Sequence, residues 1–520
     1  MAMKTMPSAP IPAPRKRVHL RLSPPRTLDR RGGLSTGALT AAAGVDPRRL
    51  PRLSPLPPPH VKTLAIEGSV TGMAYLEGRL YVCTIDEAGR GIFYCFVRGD
   101  ATTITSYTPA HSLYAEREIL QFNLYSDPTD PTGGHFRRMG LIFPDGLAFP
   151  LDTDAPVLER LARDDRPLPR LFHPCVHLSR LFGTDGDRIY ASAYNDPRNF
   201  DLDTATDAGA ANAWVASVQS NTSAGGDFTA LTVFGGALHA FKEGFCHILS
   251  GTKNPFRVSD LFAVGTPSPA SIAEVGGKLF FADEKEVYRY NGDTLTPIGG
   301  PLGERDLSGA RGCACAGMDA LYLPAAGELF LYAPESGAWS SHGRVAGERQ
   351  VRFLCPIPRG MLLLDDAANL YAIGEADPFR IPDPTEATDA LTEADPTEAT
   401  APTGETDAIG ATNAISTGLS PATPRFSCAF APIVGEGEVL LRLCRLSLTV
   451  EGEAGARVRA YYKDLSGREQ ALLDTTLSHT GLSRLCTRMF TPADRGGRIC
   501  LCCEGQVSCE ELSLLLEAQE

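Results

Sequence analysis

Residues 276–299 read GGKLFFADEKEVYRYNGDTLTPIG. Two glycines open a turn, Leu279, Phe280 and Phe281 follow as an apolar run, Asp283 to Glu286 break it, and Val287, Tyr288 and Tyr290 resume it before a second turn at Asn291, Gly292 and Asp293. Short runs rich in aromatic and aliphatic residues, bounded by Gly, Asn and Asp, mark an antiparallel hairpin. The same layout returns at 78–96 (GRLYVCTIDEAGRGIFYCF), 186–197 (GDRIYASAYNDP), 235–251 (GGALHAFKEGFCHILSG), 318–339 (MDALYLPAAGELFLYAPESGAW) and 359–378 (RGMLLLDDAANLYAIGEADP), with 140–151 (GLIFPDGLAFPL) as a weaker member.

Aligning one aliphatic residue of each hairpin selects Leu80, Ile142, Ile189, Leu238, Leu279, Leu321 and Leu362, at steps of 62, 47, 49, 41, 42 and 41 residues. A repeat of this length made only of strands fits a β-propeller, whose four-stranded blades bury their faces only against one another. The expected fold is all-β: a propeller of seven blades over residues 61–375, six being the fallback because the first step is long, followed by a small C-terminal β-sandwich. The competing reading is a sandwich whose hairpins resemble one another by chance; four successive anchors at steps of 41 to 42 disfavour it.

Outside the repeats the composition shifts. Residues 1–60 hold eleven Lys or Arg against Asp29 and Asp46 and end in a Pro-rich run, whereas the whole chain of 520 residues carries −13. The expectation is a basic, disordered arm on an acidic body, the body arguing against general nucleic-acid binding and the arm allowing weak contact with DNA or an acidic partner. Residues 376–425 repeat DPTEAT at 383 and 395 and are rich in Thr, Ala, Pro and acids, which reads as a low-complexity linker. From 426 to 520 short alternating segments return, including VLLRLCRLSLTVEG and ARVRAYYKD, and the final LSLLLEA is read as a closing strand. No apolar run reaches membrane-spanning length and the N-terminus lacks a secretory apolar core, so the expected location is the cytoplasm. The 14 cysteines are then expected to be reduced and mostly buried.

Chemistry-bearing motifs are sparse. Phosphate-loop, dinucleotide, nucleophile-elbow and zinc-helix signatures do not occur. His173, Cys175 and His177 alternate, so a regular strand would turn all three to one face, a possible nitrogen and sulfur metal site against a structural role. Cys500, Cys502, Cys503 and Cys509 lack the zinc-knuckle spacing and read as core packing, as do Cys313 and Cys315. Asp201, Asp203 and Asp207 lack the glycine and glutamate of a calcium loop. Glu116, Asp145, Asp283, Glu284 and Asp365 lie near strand ends and are the candidates for paired carboxylates around an axial channel. No catalytic, cofactor or metal residue is selected, and the chain is read as non-enzymatic.

Three stretches carry a resemblance: LFGTDGDRIYASAYNDPRNF (181–200), DFTALTVFGGALHAFKEGFCHILSG (227–251) and VGTPSPASIAEVGGKLFFADEKEVYRYNGDTLTPIG (264–299). Through Ser192, Asp196, Pro197, Phe234, Gly235, Gly251, Gly265, Ser268, Ser271 and Gly292 they resemble the propeller of structural proteins encoded by phages and prophages, including tail-hub stabilising proteins. The segment 34–58 is similar in layout to the arm preceding such propellers, and the terminal sandwich resembles their tail domain. Phe200 stands where the pattern has Trp, and the acidic linker looks like an insertion. The resemblance implies a non-catalytic virion or prophage structural protein that docks onto portal, tail or adaptor subunits, made in the cytoplasm of the host bacterium and ending in the virion. A second reading is a carbohydrate or cell-surface binder acting through the sandwich, for which Phe426, Phe430, Tyr461, Tyr462 and Phe490 are the available aromatics. A propeller hydrolase is the third.

Overall fold

The computed structural model describes residues 16–21, 27–28, 38–374 and 424–519, less residues 51, 57–58, 98–99, 125–137, 163–167, 203–211, 218–225, 308, 316–319, 348, 359, 431–432, 435–439 and 488–495. Seven four-stranded antiparallel sheets succeed one another, at 69–107, 118–160, 172–217, 228–262, 273–297, 313–343 and 351–374. The seventh is completed by His60–Thr63, which pairs with Asn369–Gly374. First strands of neighbouring blades adjoin everywhere but between blades 4 and 5, where the turn Pro269–Ser271 meets Phe228–Phe234, and Val351–Ile357 meets Ser69–Leu76, so the ring closes with first strands along its axis. The closing strand is the outer strand of blade 7, and it leaves no edge of Asn369–Gly374 unpaired. The chain is a seven-bladed β-propeller.

Side-chain alternation builds the ring. Leu80 and Val82 turn toward blade 7, where they meet Leu362 and Leu364. Their neighbours Tyr81 and Cys83 turn toward blade 2 and meet Ile142 and Phe149. Each blade interface holds its own apolar cluster of this kind. A buried Leu, Ile or Phe contributes about 1.5–3 kcal/mol by leaving water, so no blade is stable without both neighbours. Six of the seven aligned aliphatics lie in the second strand of their blade. Ile189 does not: it lies in the third strand, Arg188–Ala191, the second strand there being Arg180–Asp185. The second strand RLFGTD carries Gly183 and polar Thr184 in a short segment, so the sequence reading passed over it.

Residues 265–271 join blades 4 and 5. A Cβ on Gly265 would stand 1.9 Å from the Lys242 carbonyl oxygen, so only glycine fits. The Thr266 hydroxyl donates to the Ala282 carbonyl at 2.6 Å, Ser271 Oγ accepts from Ala282 N at 3.0 Å, and the Ser268 hydroxyl donates to Ala310 O at 2.5 Å. These buried hydroxyls satisfy main-chain groups that no strand reaches.

The second body has two sheets. One runs in the order Lys16–Arg21, Val507–Gln519, Leu440–Gly452, Gly481–Thr487. The other runs Thr27–Leu28, Ala38–Ala43, Arg425–Phe430, Gly496–Glu504, Arg457–Asp464, Glu469–Thr476. Leu446, Leu448, Leu512 and Leu514 of the first share one core with Val458, Ile499, Leu501 and Cys503 of the second.

The expected disordered arm is corrected here. Ala38–Ala43 pairs with Arg425–Phe430, and Leu39, Val45, Leu53 and Leu56 are buried. The reason is non-local: ALTAAA has no period of its own, and its partner lies near residue 428. This segment also covers the outer edge of blade 6. Gly44 N donates to Ser341 O at 2.7 Å, the Ser340 hydroxyl donates to Val45 O, and Trp339, 1% exposed, gives its ring N–H to Ile298 O at 2.8 Å. Propeller and sandwich therefore share one continuous core. The linker expected at 376–425 lies almost wholly outside the described residues, and the strand after it starts at Arg425.

Candidate docking site at the channel mouth

Strand direction alternates within each blade, so the turn between second and third strands and the connection from fourth strand to the next blade emerge at the same end of the ring. On that face lie Glu116 and Arg117, entering blade 2, and Arg311, entering blade 6. Asp145, Asp283 and Asp365 stand at the second-to-third turns of blades 2, 5 and 7.

Each of these carboxylates has its own partners. Arg117 Nε donates to Asp145 Oδ2 at 3.1 Å, with the two side chains 0% and 1% exposed. Arg117 Nη1 also reaches Ala115 O at 2.6 Å, and Ala110 N donates to Asp145 Oδ1 at 3.2 Å, so the pair pins loop 108–117 to blade 2. Burial pushes the neighbouring Cys83 thiol up to about 12 and the Tyr107 phenol well above its usual range. Asp283 accepts N–H bonds from Lys285 and Glu286, both at 2.7 Å, and the Tyr288 hydroxyl at 3.0 Å. Asp365 accepts from Ala367 N, Asn369 N and the Tyr371 hydroxyl at 2.9, 2.8 and 3.1 Å. Tyr288 and Tyr371 are both pushed up to about 12, by burial first and then by their aspartates. These are turn-fixing carboxylates. Glu284 offers its main-chain oxygen to Leu307 N at 2.8 Å.

Glu116 differs. Its carboxylate takes both terminal nitrogens of Arg311, Nη1 at 3.2 Å and Nη2 closer, from a residue 195 positions away. Blades 2 and 6 are three steps apart around the ring, so the pair spans the mouth of the channel. Arg311 lies over the Phe353 ring of blade 7, 5.2 Å from its centroid. Beside it, loop 108–117 displays Tyr114, 96% exposed, next to exposed Leu113. The sequence reading named Glu116 but missed Arg117, Arg311 and Tyr114, because a pairing across the ring leaves no local spacing.

The remaining candidates fall apart in space. The strand Phe172–His177 is bulged between Phe172 and Cys175, and His173 is left-handed at φ 51, which ends the expected alternation. His173 Nδ1 lies 3.8 Å from Glu118, Cys175 packs into the interface of blades 3 and 4, and His177 lies against Phe182. Among the described residues no group of three or more His, Cys, Asp or Glu is arranged to hold a metal ion. Cys503, Cys509 and Cys428 lie in the shared core, while Cys500 and Cys502 take the other face of their strand. Burial holds the Cys503 and Cys428 thiols well above their usual range. The side chains of Cys313 and Cys315, with Asp203 and Asp207, lie outside the described residues. Asp201 N donates to Asn199 Oδ1 at 3.0 Å within a local turn. Of the sandwich aromatics, Phe426, Phe430 and Tyr462 are buried and Tyr461 is half-buried; Phe490 is outside the described residues.

No family model matches the chain, and no curated protein matches it. Solved structures do. Catalytically inactive virginiamycin B lyase from Staphylococcus aureus with quinupristin is similar at 11% identity and a TM-score of 0.40, over 61% of this chain and 99% of that one. A chain of the mitotic checkpoint complex is similar at 11% identity and 0.39, over 62% and 93%. The Cps50 (Swd1) β-propeller domain of Myceliophteria thermophila is similar at 11% identity and 0.39, over 61% and 100%. At such identities the likeness concerns the fold alone.

Proposed function

We propose that this chain is a non-catalytic structural or adaptor protein of a phage or prophage particle that docks onto other assembly subunits through its propeller loops. The observation that carries the docking role is the face bearing loop 108–117. There the carboxylates suited to acid and base work are engaged in turns and ion pairs, while Tyr114 and Leu113 are held out to solvent on a loop anchored by a buried pair. Binding residues concentrate on such loops when a rigid scaffold positions them, and tyrosine is among the residues enriched at interface anchors. The assignment to a particle is supported by the motifs at 181–200, 227–251 and 264–299, whose Gly265, Ser268 and Ser271 join neighbouring blades.

The test is mass spectrometry of particles purified from an induced lysate of the source cells. Recovery at fixed stoichiometry with portal and tail subunits is the expected result. Recovery only in the soluble fraction, with particles lacking the chain, overturns the assignment.

A further inference from the structure

We infer that Arg311 is a receptor for a carboxylate on a docking partner and that Glu116 occupies it in the free protein as a built-in stand-in. The inference rests on the docking role proposed above and names the chemistry of the partner: an acidic side chain flanked by apolar residues.

Two ion pairs at the mouth make the argument by contrast. Arg117 and Asp145 are sealed from water and tied to main-chain groups of loop 108–117, so neither can leave without stranding a buried charge. Glu116 is 47% exposed on its side chain and Arg311 18%, and no main-chain group holds the Glu116 carboxylate among the bonds described. With the carboxylate half exposed, its release costs little, because water takes it up. Nor does the ring depend on it for closure, since His60–Thr63 already completes blade 7 by main-chain bonds.

What the pair does have is recognition geometry. Arg311 presents both terminal nitrogens to the two oxygens of one carboxylate, the forked arrangement that suits planar anions. Phe353 beneath the guanidinium attracts it through its ring face, which keeps Arg311 at the mouth when Glu116 swings away. Tyr114 and Leu113, a few residues from Glu116 on the same loop, offer apolar contact to whatever flanks the incoming acid. Glu116 lowers the apparent affinity by the fraction of time it fills the site.

The experiment uses the full-length protein and a fluorescein-labelled peptide of alternating glutamate and leucine, read by fluorescence anisotropy. The same peptide with glutamine for glutamate is the control. Glu116→Gln is expected to bind the acidic peptide roughly fivefold more tightly than the wild type, with no gain for the control. Adding Arg311→Gln to Glu116→Gln is expected to abolish the gain. Should that double variant fail to fold, Glu116→Gln with Arg311→Lys, which keeps the charge but not the fork, is expected to lose most of it. Equal affinity of wild type and Glu116→Gln, or a gain that survives replacement of Arg311, overturns the inference. A failed peptide test with the chain present in particles overturns the Arg311 site alone; a positive peptide test with particles lacking the chain overturns the particle assignment alone.

Discussion

Arg117 and Asp145 show why an ion pair counts in proportion to its burial. Removing one partner of a fully buried pair leaves the other desolvated, so Asp145→Asn is expected to lower the unfolding free energy by about 3–5 kcal/mol, read by urea denaturation. Arg79 with Asp154, the latter 64% exposed, sets the scale at the surface, and Asp154→Asn is expected to change stability by less than about 1 kcal/mol. Equal effects of the two substitutions contradict the burial argument. Cys486 makes a second point at this scale. It is exposed, and the Ser447 hydroxyl at 3.3 Å and Arg445 Nη2 at 3.5 Å hold its thiol below the usual cysteine range, whereas burial raises Cys83, Cys246, Cys428 and Cys503. Since the thiolate is the reactive form, Cys486 is expected to be the first of these thiols alkylated by iodoacetamide in the folded protein. Peptide mapping showing Cys83 or Cys503 modified ahead of Cys486 refutes that order.

Elements in this chain are stabilised by the edges they cover. Ala338–Gly343 is the outer strand of blade 6, and an uncovered outer strand invites pairing with other chains. Residues 38–49 cover it, with Leu39 and Val45 in the core that also holds Trp339. Leu39→Asp places an unpaired charge in that core. The expected outcome is a red shift of Trp339 emission and easier acrylamide quenching, in a background where Trp214 is replaced by Phe. Unchanged emission shows that the cover does not depend on this strand. Gly265 tests the joint between blades 4 and 5 in the same way. Gly265→Ala forces main chain apart at a 1.9 Å approach, and a loss of about 1–3 kcal/mol is expected in urea denaturation.

At the scale of the whole molecule, three histidines couple stability to pH, His239 and His247 buried and His177 half-buried. His177, His239 and His247 each titrate below the ordinary value of 6.5 because burial disfavours the charged ring. For His247 the facing groups are Asp260, 3.0 Å from Nδ1, which opposes the shift, and Lys242, which adds to it. Below pH 6.5 the unfolded chain binds protons that the folded chain resists, so the stability these groups contribute is full above pH 6.5 and is lost as pH falls through their folded values. Thermal melting is expected to shift downward from pH 7 to pH 5, and the shift to shrink in His239→Phe. A melting temperature that rises over this interval contradicts the assignment.

The hairpins at 78–96, 235–251, 276–299, 318–339 and 359–378 were legible because second and third strands are buried on both faces and read as apolar runs between turns. From them alone the repeat and the propeller follow. First and outer strands were not legible: Glu118–Asn123 lines the channel with mixed residues, and Arg257–Phe262 is an outer edge with charged positions. Tertiary structure alone recruited ALTAAA at 38–43 into the sandwich, ended the alternation at His173, and brought Arg311 to Glu116. The physical reason is common to all three. A hairpin is specified by neighbours in sequence, whereas an edge cover, a bulge and a pair across a ring are specified by groups that only closure of the ring and docking of the sandwich bring within reach.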